Sequence, residues 1–267
     1  MDTDTRLEEL RQVVKVALDG DGLVGVIALR RTPDGDVAPY LFTEPTELAD
    51  LFLEPRYPIP DTLHLIQEAY PEAQLGIVVR GCEERGLVET AKHNQVNLGN
   101  VRGIGLNCTA EEAEACRCAR PTVGVWVTES VGEKVAGLGD AQVEAFLALP
   151  EEERLAHWQD IFSRCIKCYA CRNVCPQCFC EHCALDEETW VEQGIVPPPF
   201  PSFHLVRALH TVAKCVGCRE CELACPAEIP LTTLYSLLRR DVQEMFGYET
   251  GMDLETMPPL LVRLASS

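Results

Sequence analysis

The first half of the chain alternates between helical and strand-like spacings of apolar residues. Leu7, Leu10 and Val14 recur on one side of a helix, which predicts an amphipathic helix over residues 5–17. Short apolar runs that end at glycine, proline or aspartate are typical of strands. Such runs predict strands at residues 23–30, 37–42, 75–79, 101–106 and 123–128.

Helices are predicted between these strands, at residues 45–52, 61–70 and 83–93. Strands that are joined through a crossover helix lie parallel in a sheet. We therefore predict an α/β domain over residues 1–139 with a small, mostly parallel sheet. Cys82 and Cys108 each follow one of its strands, at the edge where sites form in open parallel sheets. The segment between Cys108 and residue 123 is predicted as a cysteine-bearing loop.

The second half lacks strand-like alternation and predicts helices, so the whole chain is of the α+β class. Helices are expected at residues 140–149, 157–164, 202–214 and 230–246. In the helix at 202–214, four apolar residues share the side that we expect to pack against the core, namely Leu205, Val206, Leu209 and Val212. We assign residues 140–152 to a linker and helix, 153–250 to a second domain and 251–267 to a tail.

The chain is strongly acidic, with 42 acidic and 23 basic side chains and a formal net charge of −19. Such a charge disfavours nucleic acid and anionic membrane surfaces as partners. No apolar run approaches the ~20 residues that a membrane-spanning helix needs. The polar, acidic start from Met1 to Thr5 does not match a secretory signal. We expect a cytoplasmic protein without membrane insertion.

Fifteen cysteines in such a chain favour metal ligation over disulfides, because reducing compartments keep thiols free. Eight of them form two runs with the pattern C-x2-C-x2-C-x3-C-P. The runs are Cys165, Cys168, Cys171, Cys175 and Cys215, Cys218, Cys221, Cys225. In this pattern the three closely spaced thiolates ligate one 4Fe-4S cluster, whereas the fourth ligates the other cluster.

We therefore predict two 4Fe-4S clusters in a helical dicluster ferredoxin domain. The first set of ligands is Cys165, Cys168, Cys171 and Cys225, and the second set is Cys215, Cys218, Cys221 and Cys175. Zinc sites use C-x2-C pairs that close one tetrahedron, and each run here has one thiolate too many for that. Exposed clusters are oxygen-sensitive, which indicates an anaerobic setting.

Seven cysteines remain, and they allow at most one further fully cysteine-ligated cluster. One option uses Cys82, Cys108, Cys116 and Cys118, which converge on one edge of the predicted sheet. A second option takes ligands from Cys178, Cys180 and Cys183, alone or mixed with the first set. A zinc site on the same segment, with His182 as a ligand, is a further alternative. Free buried thiols are the remaining interpretation, since cysteine packs as a small apolar residue. The sequence contains no evident Ser-His-Asp or paired-carboxylate arrangement, so no catalytic residue is predicted.

Several stretches together resemble a known family. Residues 80–89 and 104–108 resemble the sheet region of the beta subunits of deazaflavin-reducing hydrogenases and formate dehydrogenases, and residues 40–45 resemble their amino-terminal segment. Residues 165–183, and residues 203–210 leading into the second run, are similar to dicluster versions found beside heterodisulfide-reductase-like and electron-bifurcating subunits.

The resemblance implies an iron–sulfur subunit that relays single electrons between a catalytic subunit and a flavin or a partner subunit. It also implies partners from a hydrogenase, formate dehydrogenase or heterodisulfide-reductase-like complex. The alternative is a subunit that carries FAD and itself reduces or oxidises a deazaflavin or nicotinamide. The segment ahead of the linker is short for a flavin domain, which favours the electron carrier. A structural zinc protein is the third hypothesis.

Overall fold

A computed structural model describes residues 3–20 and 22–259, and these divide into two compact units. Within the described residues, the first unit runs through Leu138 and includes Gly251–Glu255. The second unit covers Gly139–Thr250 and resumes at Thr256. The first two residues of the predicted leaderless start, and the predicted tail beyond residue 259, lie outside the described residues.

The first unit is a sheet with helices on both faces. Its strands are β1 Gly25–Arg31, β2 Val37–Phe42, β3 Leu51–Phe52, β4 Leu75–Val79, β5 Val101–Leu106 and β6 Ser130–Val131. Its helices are α1 Thr3–Gly20, α2 Ile59–Ala69, α3 Gly81–Lys92 and α4 Ala110–Ala115, with 3-10 turns at Pro45–Asp50 and Leu98–Asn100. The helix α4 occupies part of the segment predicted as a loop, and Thr109 caps it by accepting a hydrogen bond from the amide of Glu112.

The sheet has the strand order β2-β1-β4-β5-β6, and β3 also pairs with β1. The pairs β1–β4, β4–β5 and β5–β6 are parallel, whereas β2 and β3 run antiparallel to β1. The prediction of a small, mostly parallel sheet is confirmed. The predicted helix at 45–52 ends early, because Leu51 and Phe52 pair with β1 instead.

Alternation along the strands separates two apolar cores. Val26 and Ala28 face the core that Leu10 and Val14 of α1 complete. Their neighbours Ile27 and Leu29 face the opposite core, which is completed by side chains of α2 and α3 such as Leu63 and Leu87. Both faces of the parallel strands are therefore buried, which explains their continuous apolar runs.

The strand predicted at residues 123–128 is wrong, because none of these residues belongs to a strand. Their backbone amides instead surround the side-chain carboxylate of Glu84 on α3, which is fully buried. The N–H groups of Gly124, Val125, Trp126 and Val127 donate to its two oxygens at 2.7–2.9 Å. A segment whose amides converge on one carboxylate has no donors left for a strand ladder.

The second unit is helical in the part of the chain that the structure describes. Its helices are α5 Ala141–Leu147, α6 Glu151–Ser163, α7 Ala170–Asn173, α8 Ser202–Thr211, α9 Glu220–Leu223 and α10 Leu231–Phe246, with a 3-10 turn at Ala184–Asp186. The core joins Ile161 and Phe162 of α6, Ala208 of α8, and Leu234 and Tyr235 of α10.

The buried side of α8 differs from the predicted one. Leu205 and Leu209 are exposed, whereas the helix buries a polar and aromatic side. The buried residues are Phe203, His204, Arg207, Ala208 and Thr211. The apolar stripe predicted the wrong side because Arg207 of this helix is buried against several thiols, as described below. No helix among residues 3–20 and 22–259 combines the length and apolar character needed to cross a bilayer.

Candidate functional site

The two cysteine runs fold into loops with the same backbone. Lys167 and Tyr169 in the first loop have positive φ angles of 54° and 60°. Gly217 and Arg219 at the equivalent positions of the second loop have φ angles of 70° and 67°. Two left-handed residues in each loop turn the backbone sharply between successive cysteines. The repeat in the sequence is therefore also a repeat in the structure.

Each loop continues into a short helix with matching hydrogen bonds. The N–H of Asn173 donates to the carbonyl oxygen of Tyr169 at the start of α7, at 3.0 Å. The N–H of Leu223 donates to the carbonyl oxygen of Arg219 at the start of α9, also at 3.0 Å. The short helices carry the third cysteine of each run and direct the chain toward the fourth.

The first of two cavities, called cavity one, is lined by three thiols of the first run and one of the second. These are Cys165, Cys168, Cys171 and Cys225. The cavity has a volume of about 360 Å³, including space open to solvent. Its other walls are mainly apolar, with Phe203, Ile229 and Leu231 among them. The amide of Lys167 donates to the sulfur of Cys165 at 3.4 Å.

The second cavity, called cavity two, has the reciprocal composition. Its thiols are Cys215, Cys218, Cys221 and Cys175. It has a volume of about 410 Å³, again including open space, and Thr211, Arg207 and Tyr235 contribute to its walls. The sequence spacing and the structure therefore give the same two groups of four thiols.

Buried thiols in both cavities resist losing their protons. Burial is the largest effect, and it raises the pKa of Cys165, Cys171 and Cys221 above the ordinary value. A metal group that binds thiolates must therefore displace these protons, so that its affinity increases with pH. Among the described residues, no three His, Cys, Asp or Glu side chains are arranged to hold a single metal ion.

Arg207 places a buried positive charge beside cavity two. Its side chain is 3% exposed, and Nη1 donates to the sulfur of Cys178 at 3.1 Å. Nη2 donates to the carbonyl oxygen of Cys171. Its Nε is buried and has no hydrogen-bond partner. A buried cation with an unsatisfied donor at a thiol-lined cavity fits an anionic ligand there.

His204 occupies the corresponding place beside cavity one, but without a charge. Its ring lies parallel to that of Phe162, with the ring centroids 3.7 Å apart. Burial, and then the nearby charge of Arg207, lower the pKa of His204 to about 4. The imidazole is therefore neutral at pH 7. The two cavities are alike in their thiols and unlike in the charge that faces them.

The three cysteines between the runs have different surroundings. Cys178 lies beside Cys175 and Arg207, which line cavity two, and a hydrogen bond with Cys175, and then the charge of Arg207, lower the pKa of Cys178. Cys183 packs near Cys165 beside the core of Leu185 and Phe203. Cys180 is exposed. The option of a further cluster on Cys178, Cys180 and Cys183 gains no geometric support from this arrangement.

In the first unit, the ends of two parallel strands bring thiols together. Val79 of β4 and Gly105 of β5 are paired in the sheet, and Cys82 and Cys108 each follow three residues later. Burial raises the pKa of Cys82 to about 11 and that of Cys108 to about 12, and the neighbouring thiol of Cys118 contributes to both shifts. Cys82, Cys108 and Cys118 therefore form one electrostatic group.

Both arginines and glutamates surround this group. Nη1 of Arg56 lies 3.7 Å from the sulfur of Cys82, and Arg80 and Arg85 act on Cys108 and Cys82 from nearby. Cys116 ends α4 two residues before Cys118. Three thiols of the predicted set of four therefore interact with one another, namely Cys82, Cys108 and Cys118.

A buried ion network lies next to these thiols. Glu112 of α4 is 3.1 Å from Arg6 and 3.7 Å from Arg80. Burial alone would raise the pKa of Glu112, but the amide of Thr109 and the two guanidinium groups outweigh burial and lower it. The network joins α1, the end of β4 and α4, so it fixes the segment that carries Cys108 to Cys118.

Sequence reasoning missed Arg207 and the network of Arg6, Arg80 and Glu112. The spacing of His204 and Arg207 could have indicated this residue. The two lie three positions apart on one side of α8, opposite the exposed leucines. The network left no comparable signal, because its members lie far apart in the sequence.

The fold and the thiol-lined cavities define a cysteine-rich chain of two units. Its curated relatives include subunits of formate dehydrogenases. Over 112 residues it is 39% identical to the F420-dependent formate dehydrogenase subunit beta of Methanocaldococcus jannaschii, which covers 41% of this chain and 29% of the relative. It is 40% identical over 106 residues to the F420-dependent formate dehydrogenase 1 subunit beta of Methanococcus maripaludis, covering 40% and 27%.

A weaker similarity extends to another enzyme complex. The chain is 28% identical over 108 residues to the acetyl-CoA decarbonylase/synthase complex subunit alpha 1 of Methanosarcina acetivorans, covering 40% of this chain and 11% of the relative. No family model matches the chain. The predicted resemblance to formate dehydrogenase beta subunits is confirmed, and the chain spans less than a third of the length of these relatives.

Proposed function

We propose that this chain is an iron–sulfur electron-transfer subunit of an oxidoreductase complex. One observation carries the proposal: each of the two cavities takes three thiols from one cysteine run and the fourth from the other. This exchange of the distal cysteine is the ligation pattern of two-cluster ferredoxins. The second unit is accordingly a helical dicluster ferredoxin-like domain in this proposal.

The residues present fit two 4Fe-4S clusters. Cys165, Cys168, Cys171 and Cys225 hold the first, and Cys215, Cys218, Cys221 and Cys175 hold the second. When bound, such clusters supply one-electron transfer at potentials that the protein tunes. The apolar walls of cavity one limit the access of water, and Arg207 supplies positive charge beside cavity two.

The chain works with other subunits in this proposal. Its formate dehydrogenase and decarbonylase/synthase relatives are named as subunits, which supports a place in a larger complex. The net charge of −19 suits a partner with a basic docking surface. The purified chain alone is expected to be reducible without turning over a small substrate.

Substitution of the distal cysteines tests the exchanged ligation. After anaerobic reconstitution, Cys225→Ser is expected to impair the cluster of the first run, and Cys175→Ser that of the second. Cys180→Ser is the matched control, because Cys180 is exposed and lines neither cavity. Iron content and the electron paramagnetic resonance (EPR) spectrum of the reduced chain are measured. Unchanged iron in both distal variants would contradict the proposal, as would bound zinc without iron.

We propose a third iron–sulfur site on Cys82, Cys108, Cys116 and Cys118. The electrostatic group of three thiols and the surrounding arginines support it. Cys82→Ser and Cys118→Ser should each lower the iron content by up to about four atoms per chain, while Cys180→Ser should not. Equal iron in all three variants would show that these thiols are free.

The alternative is that the subunit carries a flavin and itself reacts with a deazaflavin or nicotinamide. The F420 dependence in the names of two relatives motivates it. Flavin absorbance in the supernatant of the denatured chain separates the two hypotheses. The electron-carrier proposal predicts no stoichiometric flavin, and one flavin per chain would favour the alternative.

A further inference from the structure

The charge of Arg207 distinguishes two sites that are otherwise alike. The equivalent loops share their left-handed positions and their helix starts, so the backbone alone would give two similar environments. A guanidinium group faces cavity two, whereas a neutral imidazole faces cavity one. The amine of Lys167 at cavity one is directed away, because it donates to the carbonyl oxygen of Glu192 at 2.7 Å.

A second cation that lines cavity two, Arg219, is already paired. Nη2 of Arg219 lies 2.7 Å from a carboxylate oxygen of Glu222, in a pair that is largely buried. Arg207 differs, because the groups that act most strongly on its charge are the phenol of Tyr235 and the thiols of Cys175, Cys178 and Cys171. The hydrogen bonds of Arg207 go to the sulfur of Cys178 and the carbonyl oxygen of Cys171 instead of to a carboxylate, and its buried Nε has no hydrogen-bond partner.

A buried guanidinium without a carboxylate partner is costly unless an anion lies nearby. A cluster ligated by four thiolates is such an anion, and it becomes more negative when it is reduced. A fixed positive charge in a medium of low dielectric constant stabilises the reduced form more than the oxidised form. Net charge and hydrogen bonds to sulfur are among the factors that set cluster potentials.

We propose that Arg207 is a positioning residue that gives the site at cavity two a higher reduction potential than the site at cavity one. This inference rests on the proposed iron–sulfur function. Arg207 acts directly through its charge and indirectly through Cys178, whose sulfur it contacts at 3.1 Å beside the ligand Cys175. Cys178 then supports a ligand instead of ligating a metal itself. An electron that enters the second unit settles on the site at cavity two.

The order of reduction in the unmodified chain is the first test. A redox titration followed by EPR is run on the reconstituted chain and on Cys218→Ser, which identifies the signal of cavity two by its change. The signal of cavity two should appear first as the potential is lowered. If the signal of cavity one appears first, the inference is wrong.

Variants of Arg207 are the second test. Arg207→Gln should move the potential of the second site to a more negative value, by more than it moves the first. Arg207→Lys keeps the charge and should shift it less. Cys178→Ala removes the sulfur through which Arg207 acts, so it should change the potential of the second site by more than that of the first. Arg240→Gln is the matched control, because Arg240 lies on α10 at the surface and pairs with Glu144 at 2.9 Å. It should change neither potential.

Unchanged potentials in Arg207→Gln at the iron content of the parent chain would overturn the inference. The inference would also be overturned if Arg207→Gln shifted both reduction potentials by no more than Arg240→Gln does. If Arg207→Gln loses iron, Arg207→Lys and Cys178→Ala carry the test, and parent-like potentials in Cys178→Ala overturn the route through sulfur. A parent chain that binds no iron would contradict the proposed function itself, which separates the two failures.

Discussion

The carboxylate of Glu84 accepts the backbone N–H of Val127 at 2.7 Å, across 43 residues of chain. The same carboxylate binds the three preceding amides and is fully buried. One side chain on α3 therefore takes the place of a neighbouring strand for this segment. Glu84 also ties the segment after Cys118 to the helix that begins beside Cys82.

Removing the charge of Glu84 should destabilise the first unit. Glu84→Gln places an amide donor among buried backbone donors, so we expect a loss of about 2–4 kcal/mol in the free energy of unfolding. Hydrogen exchange at residues 124–127 measures the effect locally. Glu129→Gln is the control, since Glu129 is half exposed and pairs with Arg102 at the surface, where a pair contributes ~1 kcal/mol or less. Parent-like protection in Glu84→Gln would contradict this account.

The stability of the first unit should depend on pH through Glu112. Its pKa is below the ordinary value of 4.5 in the folded chain, so the unfolded chain binds the proton more readily. The stabilisation is complete above pH 4.5 and is lost as the pH falls through the folded pKa.

Glu112→Gln should therefore be less stable than the parent chain at pH 7, by about 1–3 kcal/mol. The difference should shrink as the pH is lowered below 4.5. Hydrogen exchange in α4 measured at several pH values checks this, with Glu114→Gln on the exposed side of the same helix as control. A difference that is constant from pH 7 to acid would exclude the ionic contribution.

The left-handed positions of the two loops should respond oppositely to substitution. Gly217 has a φ of 70°, and a Cβ there would collide with the guanidinium of Arg239. Gly217→Ala should cost about 1–2 kcal/mol in the free energy of unfolding of the second unit. Lys167 has a φ of 54° at the equivalent position, so Lys167→Gly should be neutral or stabilising.

Chemical denaturation followed by circular dichroism measures both loop variants. Gly139→Ala is the control, because a Cβ at Gly139 would meet no atom within 4 Å and its φ is not in the left-handed region. Equal effects of Gly217→Ala and Gly139→Ala would contradict the assignment of strain to the loop.

The pattern of apolar residues along the chain correctly predicted those strands whose formation depends on local burial. The strands β2, β4 and β5 have the predicted bounds, because each is a short apolar run that ends at a turn. The prediction of a strand at 123–128 was wrong because the carboxylate of Glu84, about 40 residues away in the sequence, binds the backbone amides of this segment. The predicted buried side of α8 was wrong because Arg207 packs against thiols. The positions of apolar residues do not indicate a polar contact of this kind.

The candidate site was predictable to the extent that spacing fixes geometry. The two groups of four thiols around the cavities are those that the spacing of the runs pairs, and metal binding by them stays a prediction. The difference between the cavities was not predictable. It arises from the opposed side chains of His204 and Arg207, and their placement depends on how α8 packs.

Iron and acid-labile sulfide per chain, measured after anaerobic reconstitution, show whether the thiols of the second unit hold two clusters. We expect about eight atoms of each for the two sites of the second unit, and about twelve if the thiols of the first unit hold a third cluster. A colourless chain, or one that binds zinc without sulfide, would contradict this expectation.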